Sequence, residues 1–281
     1  MSTRFSNPRV PARAPRPPRP NEPILKTAEE LAVMRQAGRI VALAHAAMRE
    51  MLRPGISTLD LDRVAEQVIR DHGAIPSFKG YPKPGAPDYP GTINASINHE
   101  LVHGLPRADR VLREGDLISL DCGATYQGFV GDSAYSYAVG RVSSAVERLL
   151  RVTEEALHVG IRAAVVGNET ADVSAAVQAH ISKNGYGIVR EYTGHGVGRD
   201  MHEPPEVPNW WPRNAARIGW KSYPLVPGMT FALEPMVTAG RPETRELADG
   251  WTVVSADGSL CAHFEHTIAV TEDGPLILTL P

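Results

Sequence analysis

The sequence has little of what marks secreted, membrane-spanning or nucleic-acid-binding chains. It holds 2 Cys in 281 residues, Cys122 and Cys261, too few for a disulfide framework and in keeping with a reducing cytoplasm. No apolar run reaches the roughly 18 residues that a membrane-spanning helix needs. Met1 to Pro20 lacks the apolar stretch of a secretory signal. Neither charge dominates, since 29 Lys+Arg against 32 Asp+Glu leave a formal net charge of −3. What remains is ordinary globular composition, 42% hydrophobic and 22% charged, with enough length to bury one large core or two small ones.

The charge is unevenly spread. Residues 1–23 carry five Arg, seven Pro and the single acid Glu22, so they sum to +4 and leave −7 on the rest. An acidic body argues against a nucleic-acid-binding domain. The extension has nothing from which to build a core and is expected to be disordered and extended. It reads as a solvated tail or as a docking arm for an acidic or RNA-bearing surface.

Helices announce themselves by their caps. Thr27-Ala-Glu-Glu30 is a capping box ahead of an apolar face that runs to about Leu52, where Pro54-Gly55 breaks it. Ser57 or Thr58 opens a second helix, stopped at Gly73. Ser143 or Ser144 opens a third, running to about Val166, and Thr170 caps a fourth that ends at Gly185. An offset of 112 maps Gly55, Thr58, Asp60, Ile69 and Gly73 onto Gly167, Thr170, Asp172, Ile181 and Gly185. At offset 113, Arg113–Asp121 reads against Val226–Glu234, setting Asp121 opposite Glu234. Each half reads helix, helix, then strands. Strands that cluster after helices favour an α+β fold with antiparallel sheet, here with two pseudo-twofold halves, about 24–140 and 141–281, in one domain.

The carboxylates are the chemical signal. A buried strand, Leu117 to Leu120, ends in Asp121, and an acid there is costly unless paired, protonated or bound to a cation. A hairpin folding about Tyr126/Gln127 sets Asp121 opposite Asp132. In the second half, Phe231-Ala-Leu leads into Glu234. Trp251–Val254 and Leu260–Val270 read as a hairpin across Asp257-Gly258, with Glu265 inside the returning strand. His195, flanked by glycines in Gly194-His-Gly-Val-Gly198, is a fifth candidate. Taken singly, each has an ordinary reading as a strand-end cap, a turn residue or a hydrogen-bonded histidine. Together, four carboxylates and one imidazole carry too much oxygen for a structural Cys/His zinc site and suit two bridged divalent ions.

These runs resemble type I methionine aminopeptidases of the pita-bread fold. The resemblance is carried by Asp121 and Asp132, Gly194–Arg199, Met201-His-Glu203, Pro227–Phe231, Leu233–Met236, Asp249–Val253 and Phe264–Thr267, with Ser96–Asn98 and Val102–Pro106 upstream, over about residues 24–280. It implies Asp121, Asp132, His195, Glu234 and Glu265 as ligands of two divalent ions, whether Mn, Fe, Co or Zn, and peptide hydrolysis by a hydroxide bridging them. Glu234 would also be the general base, His202 would donate to the scissile carbonyl, and His103 would hold the substrate backbone. Phe78, Tyr89, Met201 and Trp251 would wall the methionine pocket, and a small second residue would be required. The implied setting is cytoplasmic and monomeric, acting on nascent N-termini, with ribosome contact through the basic extension or the Trp-rich segment 209–223. The same ligand pattern occurs in proline-directed pita-bread peptidases, and a metal-free ribosome-associated binding protein is the non-enzymatic alternative. Asn94 stands where that family often has Cys or Thr.

Overall fold

A computed structural model describes residues 21–281, so the expected disordered extension lies outside the described residues except for its last three positions. Helices α1 (Ala28–Met51) and α2 (Thr58–Asp71) precede α3 (Ser144–Ala163) and α4 (Thr170–Lys183), and every strand pairing in the sheets is antiparallel. The α+β architecture is as the sequence implied. Thr27 opens α1 reciprocally: its hydroxyl accepts from Glu30 N at 3.2 Å, and the Glu30 carboxylate accepts from Thr27 N at 3.0 Å.

Two helix boundaries differ from expectation. The cap of α4 is Glu169, whose N–H donates to Asp172 at 2.8 Å; Thr170 is already helical, and its hydroxyl accepts from Tyr223 N at 3.1 Å instead. Helix α3 stops at Ala163 rather than Val166, because Asn168 Nδ2 donates to Ala163 O at 2.9 Å and closes the helix end.

The duplication appears in the hydrogen bonds themselves. Thr58 accepts from Arg107 N at 2.9 Å, the counterpart of Thr170 with Tyr223. Thr58 N donates to Arg110 O at 2.9 Å, as Thr170 N does to Tyr223 O at 3.0 Å. Leu112 N to Ile56 O and Leu225 N to Asn168 O are both 2.9 Å. Gly55 and Gly167 have φ of 92° and 98°, and Gly73 and Gly185 have 73° and 80°, a region that glycine enters without strain.

Each helix pair covers its own core. Ile40, Met48, Leu61 and Ile69 pack on Ile93, Ile118 and Leu120, whereas Leu149, Leu157, Val173 and Val177 pack on Phe231, Leu233 and Ile268. The long strand Leu117–Tyr126 is paired along its full length by Phe129–Ala138, and on its other edge by Ile93–Ile97 and Ile75–Pro76. The five-stranded sheet of the second half runs in the order 274–277, 266–271, 230–233, 194–196, 203–207. Helix α1 lies hard against the first hairpin. A Cβ on Gly131 would meet Gly38 N at 2.5 Å, so Gly131 lets the strand cross the helix beside Asp132, while a Cβ on Gly38 would meet the backbone of Leu278.

The expected second hairpin is not formed. Val253–Ser255 pairs with Thr244–Glu246 and with Glu100–Val102, while Cys261–His263 pairs with Met236–Thr238. The Asp257-Gly258 turn exists, with Gly258 at φ 77°, but it hands the chain from one sheet to another. Glu265 therefore sits between two strands rather than inside one.

Candidate metal centre

The first two acids lie on one hairpin face. The turn falls at Gln127-Gly128, with φ of 48° and 78°, one residue later than the sequence indicated. Asp121 then faces Ala134 and Asp132 faces Gly123, so the acids are diagonal neighbours rather than directly opposed. The two carboxylates still act on each other, Asp121 helping to raise Asp132. Gly123 leaves room for the pocket: a Cβ there would meet Met201 Cε and Phe78 Cε1, each at 3.0 Å.

The second half delivers the rest. Glu234 follows the Thr230–Leu233 strand. Glu265 reaches the first half through its backbone, donating to Ala134 O at 2.8 Å and accepting from Ala134 N at 3.3 Å. Thr267 donates to Asp132 O at 2.8 Å and accepts from Asp132 N at 3.0 Å, locking the two halves at the seam. His195 lies in the short strand Gly194–Gly196. Its flanking glycines serve the neighbouring strands: a Cβ on Gly194 would lie 2.5 Å from Ala232 O, and one on Gly196 would lie 2.4 Å from Pro204 O. His195 Nδ1 donates to Gly196 O at 3.0 Å, which leaves the Nε2 lone pair free for a cation, and Nε2 lies 3.5 Å from Glu234 Oε1.

These groups fit a cation. Ligand atoms of Asp132, His195 and Glu265 lie within 4.8 Å of one another. Asp121 Oδ1, Asp132 Oδ1 and Glu265 Oε1 are buried and find no hydrogen-bond partner. Burial raises the Asp121 carboxyl to about 7. Burial and then the neighbouring carboxylates push Asp132, Glu234 and Glu265 well above the usual range. Burial lowers His195 to about 3, so its imidazole is neutral and competent as a ligand. Four acids forced upward together around a neutral imidazole form a site that divalent charge would relieve.

All the residues singled out in the sequence line one cavity of about 190 Å³. Phe78, Tyr89, Met201 and Trp251 supply apolar wall, with the Tyr89 and Trp251 rings edge-to-face at 5.0 Å. Both of those rings are tethered. The Tyr89 hydroxyl lies 3.0 Å from Ile93 O and Gly104 O, and Trp251 Nε1 donates to Pro87 O at 2.8 Å. The Pro-rich segment 81–90 thus clamps the pocket, and Lys83 adds a cation 5.2 Å above the Trp251 ring. His103, at a left-handed φ of 59°, sits edge-on to Trp251 and is lowered to about 4, chiefly by burial. His202 lies beside His195, ring centres 4.3 Å apart, with Nδ1 2.8 Å from the Tyr81 hydroxyl.

Tyr81, Tyr192, Thr193, Met236 and His263 also line the cavity and were not singled out. His263 is two residues before Glu265, a strand-like spacing that could have flagged it. Its Nε2 lies 3.8 Å from Glu234 and 3.9 Å from Glu265. Asn94, flagged only as a departure, donates from Nδ2 to Asp121 Oδ2 at 2.6 Å, directly across the strand pair.

The chain is similar to known proteins in sequence and fold. Residues 32–272 match the model of metallopeptidase family M24. Methionine aminopeptidase 1 of Bacillus subtilis is 50% identical over 256 residues, covering 91% of this chain and 98% of that protein. The crystal structure of methionine aminopeptidase from Thermotoga maritima superposes with a TM-score of 0.86 at 40% identity, covering 92% of this chain and all of that one. Prolidase from Pyrococcus furiosus shares the fold, with a TM-score of 0.71 at 22% identity over 92% of this chain and 66% of its own.

Proposed function

The chain belongs to metallopeptidase family M24, and on that premise we propose that it is the aminopeptidase that removes the N-terminal methionine from new polypeptides. The observation that carries this is the lining of one cavity, which brings the buried carboxylates and His195 together with Phe78, Met201 and Trp251. That pocket suits an unbranched apolar side chain held next to a hydrolytic centre. Asp121, Asp132, His195, Glu234 and Glu265 would hold two divalent ions. Such ions supply a Lewis acid and lower the pKa of water. Mn, Fe, Co and Zn all suit this donor set.

The protein's own groups do the rest. The Tyr81 hydroxyl, 2.8 Å from His202 Nδ1, holds the ring, and in the tautomer protonated at Nε2 His202 would donate to the scissile carbonyl oxygen as it gains charge. Glu234, with Oε1 3.5 Å from His195 Nε2 and Oε2 3.8 Å from His263 Nε2, would take a proton and pass it toward the leaving amine. His103, neutral and wedged against Trp251, positions the substrate backbone near the scissile nitrogen. We propose a small second residue for the substrate, as in the family the chain resembles.

No helix among the described residues is long and apolar enough to cross a membrane. We place the enzyme in the cytoplasm, acting on nascent chains as a monomer, since its duplicated halves already close the seam that a dimer would build. We propose contact with the ribosome through the Arg-rich extension or the Trp-rich segment 209–223. The test is release of Met from Met-Ala-Ser against cleavage of an Xaa-Pro peptide, with each metal in turn. Met release alone supports the reading; Xaa-Pro cleavage alone overturns it in favour of the proline-directed alternative.

A further inference from the structure

The Trp-rich segment 209–223 takes no part in the chemistry above, yet it walls a second cavity of about 820 Å³. That cavity shares only Thr193, His195 and His202 with the metal pocket. It therefore opens off the histidine side of the site, away from Phe78, Tyr89 and Trp251. A substrate with its first side chain among those three and its carbonyl at His202 must continue past His202, and this cleft lies there.

The cleft has one stiff aromatic wall. Trp220 packs edge-on to Trp210, ring centres 4.8 Å apart, and to Trp211 at 5.3 Å, while Arg190 covers Trp210 at 5.0 Å. Asn209 Nδ2 donates to Glu234 O at 3.0 Å, Trp211 N to Gln178 at 3.0 Å and Tyr223 N to Thr170 at 3.1 Å, so the segment is pinned at the metal centre and on α4. The facing wall is the 203–207 strand, the edge of its sheet. Glu203 there is paired with Lys26 at 2.6 Å, exposed Glu206 stands on the same strand, and exposed Lys221 stands opposite on the aromatic side, so the two walls differ in charge. Ordered aromatics beside cations are the surfaces that carry peptide-binding energy.

We propose that this cleft binds the substrate's residues beyond the scissile bond as an extended peptide, with Trp220 as the apolar platform and Lys221 favouring an acidic side chain. The proposal rests on the aminopeptidase reading. It is tested with the full, metal-loaded chain on Met-Ala-Ser and on the same peptide lengthened at its C-terminal end with neutral, Asp-containing or Lys-containing residues. Met-Ala-Ser offers the cleft a single residue beyond the second and is the short reference, so Trp220→Ala and Lys221→Glu are expected to change its turnover less than that of the longer peptides. Lengthening is expected to raise wild-type kcat/KM about tenfold, mostly through KM, as one good interface anchor would. Trp220→Ala loses that gain. Lys221→Glu, an exposed change that leaves folding alone, keeps the neutral gain and reverses the order of the Asp and Lys peptides. A flat length series in wild type, or an unchanged charge order in Lys221→Glu, overturns the proposal while the aminopeptidase reading stands. Equal acceleration of all peptides by Trp220→Ala also overturns it, since the cleft would then hold something other than substrate. Absence of cleavage of any Met peptide overturns the underlying reading and the cleft assignment with it.

Discussion

Lys26 and Glu203 form an ion pair with side chains only 2% and 4% exposed, at 2.6 Å. Glu203 opens the strand that follows His202, and its other oxygen accepts from Arg199 N at 2.8 Å and Asp200 N at 3.3 Å. The pair thus braces the turn that presents Met201 and His202. Lys26→Met removes the cation and leaves a buried carboxylate with two backbone donors. Breaking a buried pair this way costs about 3–5 kcal/mol, and the surviving donors place this case near 3. At about 2–4 °C per kcal/mol for a domain of this size, thermal unfolding should drop by about 6–12 °C. Lys26→Met combined with Glu203→Leu should recover most of the loss, because an apolar pair leaves no stranded charge. The assay is thermal denaturation of the three proteins under one buffer and metal condition. A drop below about 2 °C for Lys26→Met, or a double variant no more stable than the single one, would refute the reasoning.

Other consequences follow from the same geometry. The folded Asp121 carboxyl is raised from 3.8 to about 7 by burial, so its contribution to metal-free stability is present at acid pH and lost as pH rises through about 7. Chelated protein should therefore melt progressively lower between pH 5 and pH 8, and metal-loaded protein should not; parallel profiles would contradict this. Asn94→Ala removes the 2.6 Å donor to Asp121 and should weaken metal binding about 10–100-fold in a metal titration, with unchanged affinity counting against the role given to Asn94. His202→Ala should lower kcat about 10²–10³-fold with metal content intact, because only the donor to the developing charge is lost; a loss of metal instead would reassign His202 to the ligand set.

The helix pairs, the internal duplication and the acids were legible because each has a local signature. A capping box, a glycine that needs positive φ, and an acid at the end of an apolar strand all write themselves into a few neighbouring residues. Register was not. Moving one turn residue, from Tyr126/Gln127 to Gln127-Gly128, changes which residues face across a ten-residue hairpin, and single-sequence reading has no ruler that fine. The Asp257-Gly258 turn was real, yet its flanking strands go to different sheets, because partner choice depends on Met236–Thr238 and Glu100–Val102, far away in sequence. Tyr81 and His263 were missed for the same reason: their importance lies in contacts with His202, Glu234 and Glu265 that only the fold creates. Thr170 shows the reverse case, a good cap residue whose hydroxyl is diverted to Tyr223.

The central claim is that the buried acids and His195 exist to hold divalent ions that drive methionine release. The most direct measurement is metal content by mass spectrometry together with Met release from Met-Ala-Ser, for wild type and for Asp132→Asn. Wild type should carry two ions per chain and release Met, while Asp132→Asn should stay folded, lose bound metal and fall to background turnover. Near-wild-type release by Asp132→Asn, or full activity in exhaustively chelated wild type, would contradict the account.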